Sequence, residues 1–392
     1  MELREWFAGE AARRGLDLRE DRNGNLWAWW GDPSRRPGVV TGSHLDSVRQ
    51  GGAYDGPLGV VSAFAALDLL RARGVDPSVP LGVACFTDEE GARFGVPCMG
   101  SRLLTGVLDP GRALGLTDDD GDTLADVLAR AGRRPSELGR DDETLATVGT
   151  FVELHVEQGR GLVTEGRPVG VASAIWPHGR WRFDFRGRAD HAGTTRLADR
   201  DDPMLPFARM VLAARETAAR LGVVATVGKV RVSPGNANAV PGQVSAWLDA
   251  RGAKERDVRA LVAELAGDGD GDGDGVGVGE ESWTRVVDFD VALRDRLAKV
   301  AGRAAGGTAD SAAGDAAGGV AGSAVGGDTP APILPTGAGH DAGILATAGV
   351  RSAMLFVRNP TGVSHSPDEH AEQADCEAGV VALADVLEDL CR

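Results

Sequence analysis

Cysteine and lysine are scarce in this chain, and long apolar runs are missing. The four cysteines, Cys85, Cys98, Cys376 and Cys391, lack CxxC spacing, so neither a thiolate metal site nor a redox pair is indicated and disulfides have no place in a reducing compartment. They are given no role. No apolar stretch reaches the roughly 20 residues that span a bilayer, and the opening segment "MELREWFAGEAARRG" is charged rather than basic and then apolar. A cytoplasmic protein with no membrane partner is expected. Lys229, Lys254 and Lys299 are the only lysines, so arginine carries nearly all the positive charge and each arginine must be argued from its position. Positive charge is itself in deficit: the net charge is -16. A nucleic-acid backbone or an anionic membrane would be repelled by such a surface. Part of the acidity is local, in "DDDGD" at 118–122 and "GDGDGDGDG" at 267–275.

What is present is enough chain, 392 residues, for two domains and a core able to hold a rigid site. The first part alternates "PGVVTGSH", "PLGVVSAFAALDLLRARG", "PLGVACFTDEEG" and "TFVELHVEQG", which read as strand, helix, strand and strand. That rhythm predicts an α/β catalytic domain, a mainly parallel sheet flanked by helices. After about residue 175 the period-2 strands "RWRFDFRG", "ATVGKVRVSPG" and "QVSAWLDARG" surround one long helix, "DPMLPFARMVLAARETAARLG". They predict an inserted α+β lid or dimerisation domain with an antiparallel sheet. The catalytic domain is then discontinuous, 1–175 and 288–392, around a lid at 176–287. The Asp-Gly repeat at 267–275 lacks the side-chain pattern of an EF-hand and reads as a flexible lid loop. Residues 304–328, nearly all Ala, Gly, Ser and Asp, read as a loop insertion without chemistry.

Seven histidines occur, and a single histidine is more often structural than functional. Position changes the odds. His44 directly follows the strand "GVVTG", Glu89 and Glu90 follow "LGVACFTD", His155 lies in "FVELHVEQG", and His365 follows "MLFVRN" in "TGVSHSPDEH". Ligands of open α/β sheets bind beyond the carboxyl ends of the strands. Imidazole and carboxylate together suit zinc or manganese without any thiolate. Asp46, two residues from His44, points the same way in an extended segment and can accept the ring N–H of His44. Its bland alternative is a turn cap. Asp55, in "GGAYDGPLG", can fold toward His44 or simply cap the next helix. In the pair Glu89 and Glu90, one carboxylate can serve as ligand and its neighbour as base.

In this order, "GSHLDSV", "GGAYDG", "DEEGARF", "ELHVEQG", "ADHAGTT", "GAGHDA" and "GVSHSP" resemble the amidohydrolase branch of the aminoacylase and carboxypeptidase-like zinc peptidases. That branch contains N-carbamoyl-L-amino-acid hydrolases, ureidoglycine-type enzymes and allantoate amidohydrolases. The resemblance runs from about 20 to 385. It implies two divalent metal ions per subunit, Zn2+ or Mn2+ with Co2+ also possible. His44, Asp55 and His155 would hold one, and Asp55, Glu90 and His365 the other, with Asp55 bridging. Glu89 would be the general base. His191 of "ADHAGTT" would reach into the partner's site and steady the oxyanion, which implies a homodimer through the lid. Arg180, Asn238 and Arg251 would grip a substrate carboxylate, and Gln158 would contact the carbamoyl end. The local sequence "WPHGRW" at Arg180 departs from the family's Gln-Arg pair, and His340 reads as a loop-structuring residue.

The resemblance further implies a small ureido acid as substrate, cleaved at a ureido C–N bond. "FTDEEGARFGVPCMGSRLLTG" and "MLFVRNPTGVSHSPDEH" look more like allantoate amidohydrolases than like carbamoylases, so allantoate is the expected substrate and N-carbamoyl-L-amino acids are the alternative. An acylamino-acid deacylase or peptidase relative usually lacks "HVEQG" and carries a carboxylate in place of His155. A non-catalytic binder would be expected to have lost ligands or the base, and all five ligands and Glu89 are present here.

Overall fold

Val39, Val40 and Thr41 are β-branched and suit extended backbone, and the strand they form, Gly38–His44, is buried throughout. Burial on both faces is what a parallel strand between helical layers requires. In this computed structural model, which describes residues 2–267, 276–311 and 329–392 and only the backbone at 304–311, Gly38–His44 pairs in parallel with Leu81–Phe86 on one side and Val148–Val156 on the other. Val148–Val156 in turn pairs in parallel with Arg351–Val357. The hairpin of Asp17–Glu20 and Leu26–Trp30 extends one edge antiparallel, and Val169–Ile175 lies antiparallel to Arg351–Val357. The expected mainly parallel sheet is observed, with antiparallel rims that the sequence pattern did not announce.

From Gly38–His44 the chain goes first to a neighbour on one side and later to a neighbour on the other. The crevice beyond the carboxyl ends of these strands is therefore a topological switch point, where open α/β sheets bind ligands. Side chains alternate along a strand. Val152, Leu154 and Val156 face a core made with Val60, Phe64 and Leu67 of helix Pro57–Ala72 and with Ala382, Leu383 and Leu387 of helix Gln373–Leu390. Glu153 and His155 face the other way. Each large apolar side chain buried there contributes about 1.5–3 kcal/mol, so the strand bearing His155 is fixed from its opposite face.

Contacts divide the chain into two units, Met1–Ala174 with Asp288–Arg392, and Ile175–Val287. The second unit holds the four-stranded antiparallel sheet, in the order Val276–Thr284, His178–Arg186, Gln243–Arg251, Val224–Ser233. Burial alternates strictly along His178–Arg186. Its inward residues Trp181, Phe183 and Phe185 pack with Val244, Ala246 and Leu248 and with helices Met204–Leu221 and Glu255–Ala266.

One expectation needs correcting. Helix Val291–Ser311 runs through the start of the segment 304–328 read as a loop insertion. Alanine is the strongest helix former, and a preceding amphipathic run lets a helix extend into composition that could not start one. The rest of that segment, and residues 268–275 of the Asp-Gly repeat, lie outside the described residues. No helix among the described residues is long and apolar enough to cross a membrane.

Candidate metal centre

His44 ends its strand, and the loop that follows brings Asp55 back over it just before helix Pro57–Ala72 begins. Gly56 makes that return possible. Its φ is 85°, and a Cβ there would lie 2.3 Å from His44 Cε1. Asp55 then stands at the middle of the site. Its Oδ1 lies 3.1 Å from His155 Nε2 and 3.8 Å from His44 Nε2, while its Oδ2 lies 3.3 Å from His365 Nε2. Glu90 Oε2 is 3.3 Å from the same His365 nitrogen. Ligand atoms of His44, Asp55 and His155 lie within 4.8 Å of one another, and so do those of Asp55, Glu90 and His365. The two triads share Asp55, with one carboxylate oxygen turned to each.

Proton placement decides what this arrangement can hold. His44 Nδ1 is 3.0 Å from the carbonyl of Asp46, and His155 Nδ1 is 2.9 Å from that of Val156. A carbonyl only accepts, so Nδ1 carries the hydrogen in each ring and Nε2 presents a lone pair. Both Nε2 atoms are buried without a hydrogen-bond partner, facing a carboxylate oxygen. Lone pairs converging in a dry site are costly unless a cation or a proton joins them. The donor set of imidazoles and carboxylates fits a divalent cation. Without one a proton is drawn in: burial opposes charge on His155, but the adjacent Asp55 outweighs it and raises the imidazole to about 9. Burial also opposes ionisation of Asp55, yet His155 and His365 hold its carboxyl below the usual range.

Glu89 and Glu90 follow Asp88, whose φ of 52° turns the chain sharply after strand Leu81–Phe86. Asp46 secures that turn. Its carboxylate accepts the amides of Glu89, at 3.2 Å, and Glu90, at 3.0 Å. The expected carboxylate bond to the His44 ring is thus replaced: the carboxylate is 3.7 Å from Nδ1, and the Asp46 backbone carbonyl takes that hydrogen bond. The carboxylate already has two amide donors, and the carbonyl lies closer to the ring. Glu89 is buried, with Oε1 accepting from the Cys98 thiol at 3.1 Å and Oε2 3.7 Å from His44 Nε2. Burial, and then the nearby Asp341, push its carboxyl well above the usual range; Glu90 is raised by burial and by Asp55. Cys98, given no role in the sequence, therefore fixes one oxygen of Glu89. Nothing in its spacing could have signalled this.

Gln158 donates through Nε2 to Asp55 Oδ2 at 2.8 Å, and its Oε1 is buried without a hydrogen-bond partner. His340 lies against His155, with ring centroids 4.5 Å apart, and its ligand atom groups with those of Glu153 and His155. Expected to structure its loop, it stands at the N-cap position of helix Asp341–Thr347, and its ring also walls the site. Behind it Glu153 accepts from Ser43 Oγ at 2.8 Å and from the amide of Ala342 at 2.9 Å. Glu153, Ser364 and Glu369 all sat in the quoted motifs, but only the fold shows what they hold.

The second unit carries the remaining candidates. Strand Asp190–His191 pairs with Ala239–Val240, which sets His191 beside Asn238, both exposed. His191 Nδ1 accepts from the Gly193 amide at 3.0 Å, so Nε2 carries the hydrogen and points a donor outward. Arg180 and Arg251 are also brought together, by Asp249. Arg251 Nε is 2.6 Å and Arg180 Nε 3.3 Å from its carboxylate. Burial opposes ionisation of Asp249, but Arg251 and then Arg180 hold its carboxyl below the usual range.

The sequence model of Peptidase family M20/M25/M40 matches residues 40–389. The chain belongs to this family. Membership in the M20 family implies divalent metal binding, and the triads around Asp55 are candidate groups for it. Among curated relatives, the chain is 36% identical to the N-carbamoyl-L-amino acid amidohydrolase of Geobacillus stearothermophilus, over 94% of this chain and 86% of that one. It is 29% identical to the allantoate amidohydrolase of Escherichia coli strain K12, over 100% and 90%. Among solved structures, the crystal structure of AtUAH in complex with (S)-hydroxyglycine is similar with a TM-score of 0.81 and 26% identity, covering 99% of this chain and 89% of that one.

Proposed function

We propose that this M20-family member hydrolyses a ureido C–N bond in a small carboxylate substrate, using two divalent ions. The observation that carries this reading is Asp55, whose two carboxylate oxygens each face a separate imidazole-containing triad. His44, Asp55 and His155 would hold one ion, and Asp55, Glu90 and His365 the other. Zinc or manganese, with cobalt possible, fits this donor set. When bound, such ions polarise the scissile carbonyl and make water a better nucleophile. Glu89 takes the proton of the attacking water and passes it to the departing nitrogen. Its fixed oxygen on Cys98 leaves Oε2 for that work. The buried, unpartnered Oε1 of Gln158 is an acceptor suited to a carbamoyl N–H. Arg180, Asn238 and Arg251 supply donors for the substrate carboxylate. His191, with a hydrogen on Nε2, is suited to steady the oxyanion, acting in a homodimer on the partner's site.

Two substrates have specific support. The motif stretches around Glu89 and His365 favour allantoate, while the 36% identity to the Geobacillus stearothermophilus protein favours N-carbamoyl-L-amino acids. Both are carboxylates bearing a ureido group. Ammonia release from allantoate, measured beside a panel of N-carbamoyl-L-amino acids with manganese supplied, separates them by kcat/KM. Turnover of acylated amino acids or dipeptides alone would overturn the ureido reading.

A further inference from the structure

We propose that Glu369 is a positioning residue for the shared carboxylate Asp55, and that it acts by accepting the one hydrogen bond the Ser364 hydroxyl can donate. The inference rests on the reading of Asp55, Glu90 and His365 as a metal triad. Glu369 is buried, and its Oε2 accepts from the backbone amides of Tyr54, at 2.9 Å, and Asp55, at 3.0 Å. Its Oε1 is 2.9 Å from Ser364 Oγ, which is also 2.9 Å from Asp55 Oδ2. Glu369 thus ties the loop that presents Asp55 to the loop that presents His365. Gly52 leaves it room, since a Cβ there would sit 2.4 Å from the Cβ of Glu369.

Ser364 has two carboxylate oxygens within reach and one proton to give. Asp55 Oδ2 already accepts from Gln158 Nε2 and faces His365. A hydroxyl proton directed at Oδ2 competes for the electron pair that a cation beside His365 needs. Glu369 Oε1 offers that proton another acceptor, so the hydroxyl can turn away while Gln158 Nε2, 3.3 Å from Ser364 Oγ, donates to it. A carboxamide at 369 cannot do this. Its oxygen is required by the amides of Tyr54 and Asp55, and its nitrogen then donates to Ser364 and drives the hydroxyl proton onto Asp55.

The test compares manganese binding by wild type, Glu369→Gln, Ser364→Ala and the double variant, by competition with a chelator, together with the absorption spectrum of the cobalt form. Glu369→Gln should weaken one of two ions by about 10–100-fold, the range for partners that orient metal ligands. Ser364→Ala should stay near wild type, and the double variant should return close to Ser364→Ala with a matching cobalt spectrum. A double variant as weak as Glu369→Gln would overturn the proposal, because loss of loop structure is not repaired by removing a hydroxyl. Wild-type affinity in Glu369→Gln would overturn it too. Should Glu369→Gln fail to fold, Gly52→Ala crowds Glu369 without removing a polar group; it must weaken the same ion, and unchanged binding sinks the idea. Wild-type ion content in His365→Ala would instead remove the metal reading beneath it.

Discussion

Glu89 and Glu90 are neighbours in sequence with the same side chain, and their surroundings separate them. Glu90 reaches the His365 nitrogen that also faces Asp55, at 3.3 Å, whereas Glu89 has one oxygen on a buried thiol and its other oxygen 3.7 Å from His44. Glu89→Gln preserves shape and removes the proposed base. It should keep both ions and lose about 10²–10⁴-fold in kcat, the usual worth of a positioned general base. Metal content and turnover measured on one sample check this. Loss of ions along with rate would make Glu89 a ligand and exchange the roles of the pair. Legibility at this scale was uneven. The residues that face one another across Asp55 were readable because imidazole and carboxylate at strand ends have few other reasons to cluster. Cys98, Ser364 and Glu369 were not, because a thiol or hydroxyl that holds a carboxylate, or a carboxylate that holds backbone amides, looks like any other until the chain folds.

Strand Val148–Val156 shows why the elements were more legible than their edges. Apolar residues at 152, 154 and 156 alternate with Glu153 and His155, and the core against helices Pro57–Ala72 and Gln373–Leu390 reads that alternation directly. The helices and central strands carry such patterns over many residues. Asp17–Glu20, exposed along its whole length, and Val276–Thr284, rich in glycine, carry none. They are strands because a neighbouring strand offers them hydrogen bonds, a tertiary cause that leaves little mark in sequence. Loops follow the same division. The turn at Gly56 is announced by "YDGP", but the clamp of Asp46 on the amides of Glu89 and Glu90 joins two loops and needed the fold to appear. The same holds for Asp249 between Arg180 and Arg251: both arginines were nominated, but the acid that pairs them, two residues before Arg251 on the same strand and directly opposite Arg180, was not.

For the whole molecule, a net charge of -16 sets the surface against polyanions, so the proposed acidic substrate would have to be recognised locally, as by the proposed Arg180 and Arg251, rather than by the overall field. The proposed homodimer makes a second prediction, because His191 belongs to one compact unit and the metal triads to the other. In a heterodimer of His191→Ala with Glu89→Gln chains, the site with intact Glu89 receives intact His191 from its partner if the histidine acts across the dimer, and one site per heterodimer regains activity. If His191 serves its own chain, each site keeps one defect, and heterodimers verified by mass stay inactive. The proposed hydrolysis depends on bound metal, and ammonia release by chelator-stripped protein titrated with manganese or zinc probes that dependence. Activity should be absent at first and rise to its plateau as two equivalents bind per chain; full turnover by protein verified free of metal would contradict it.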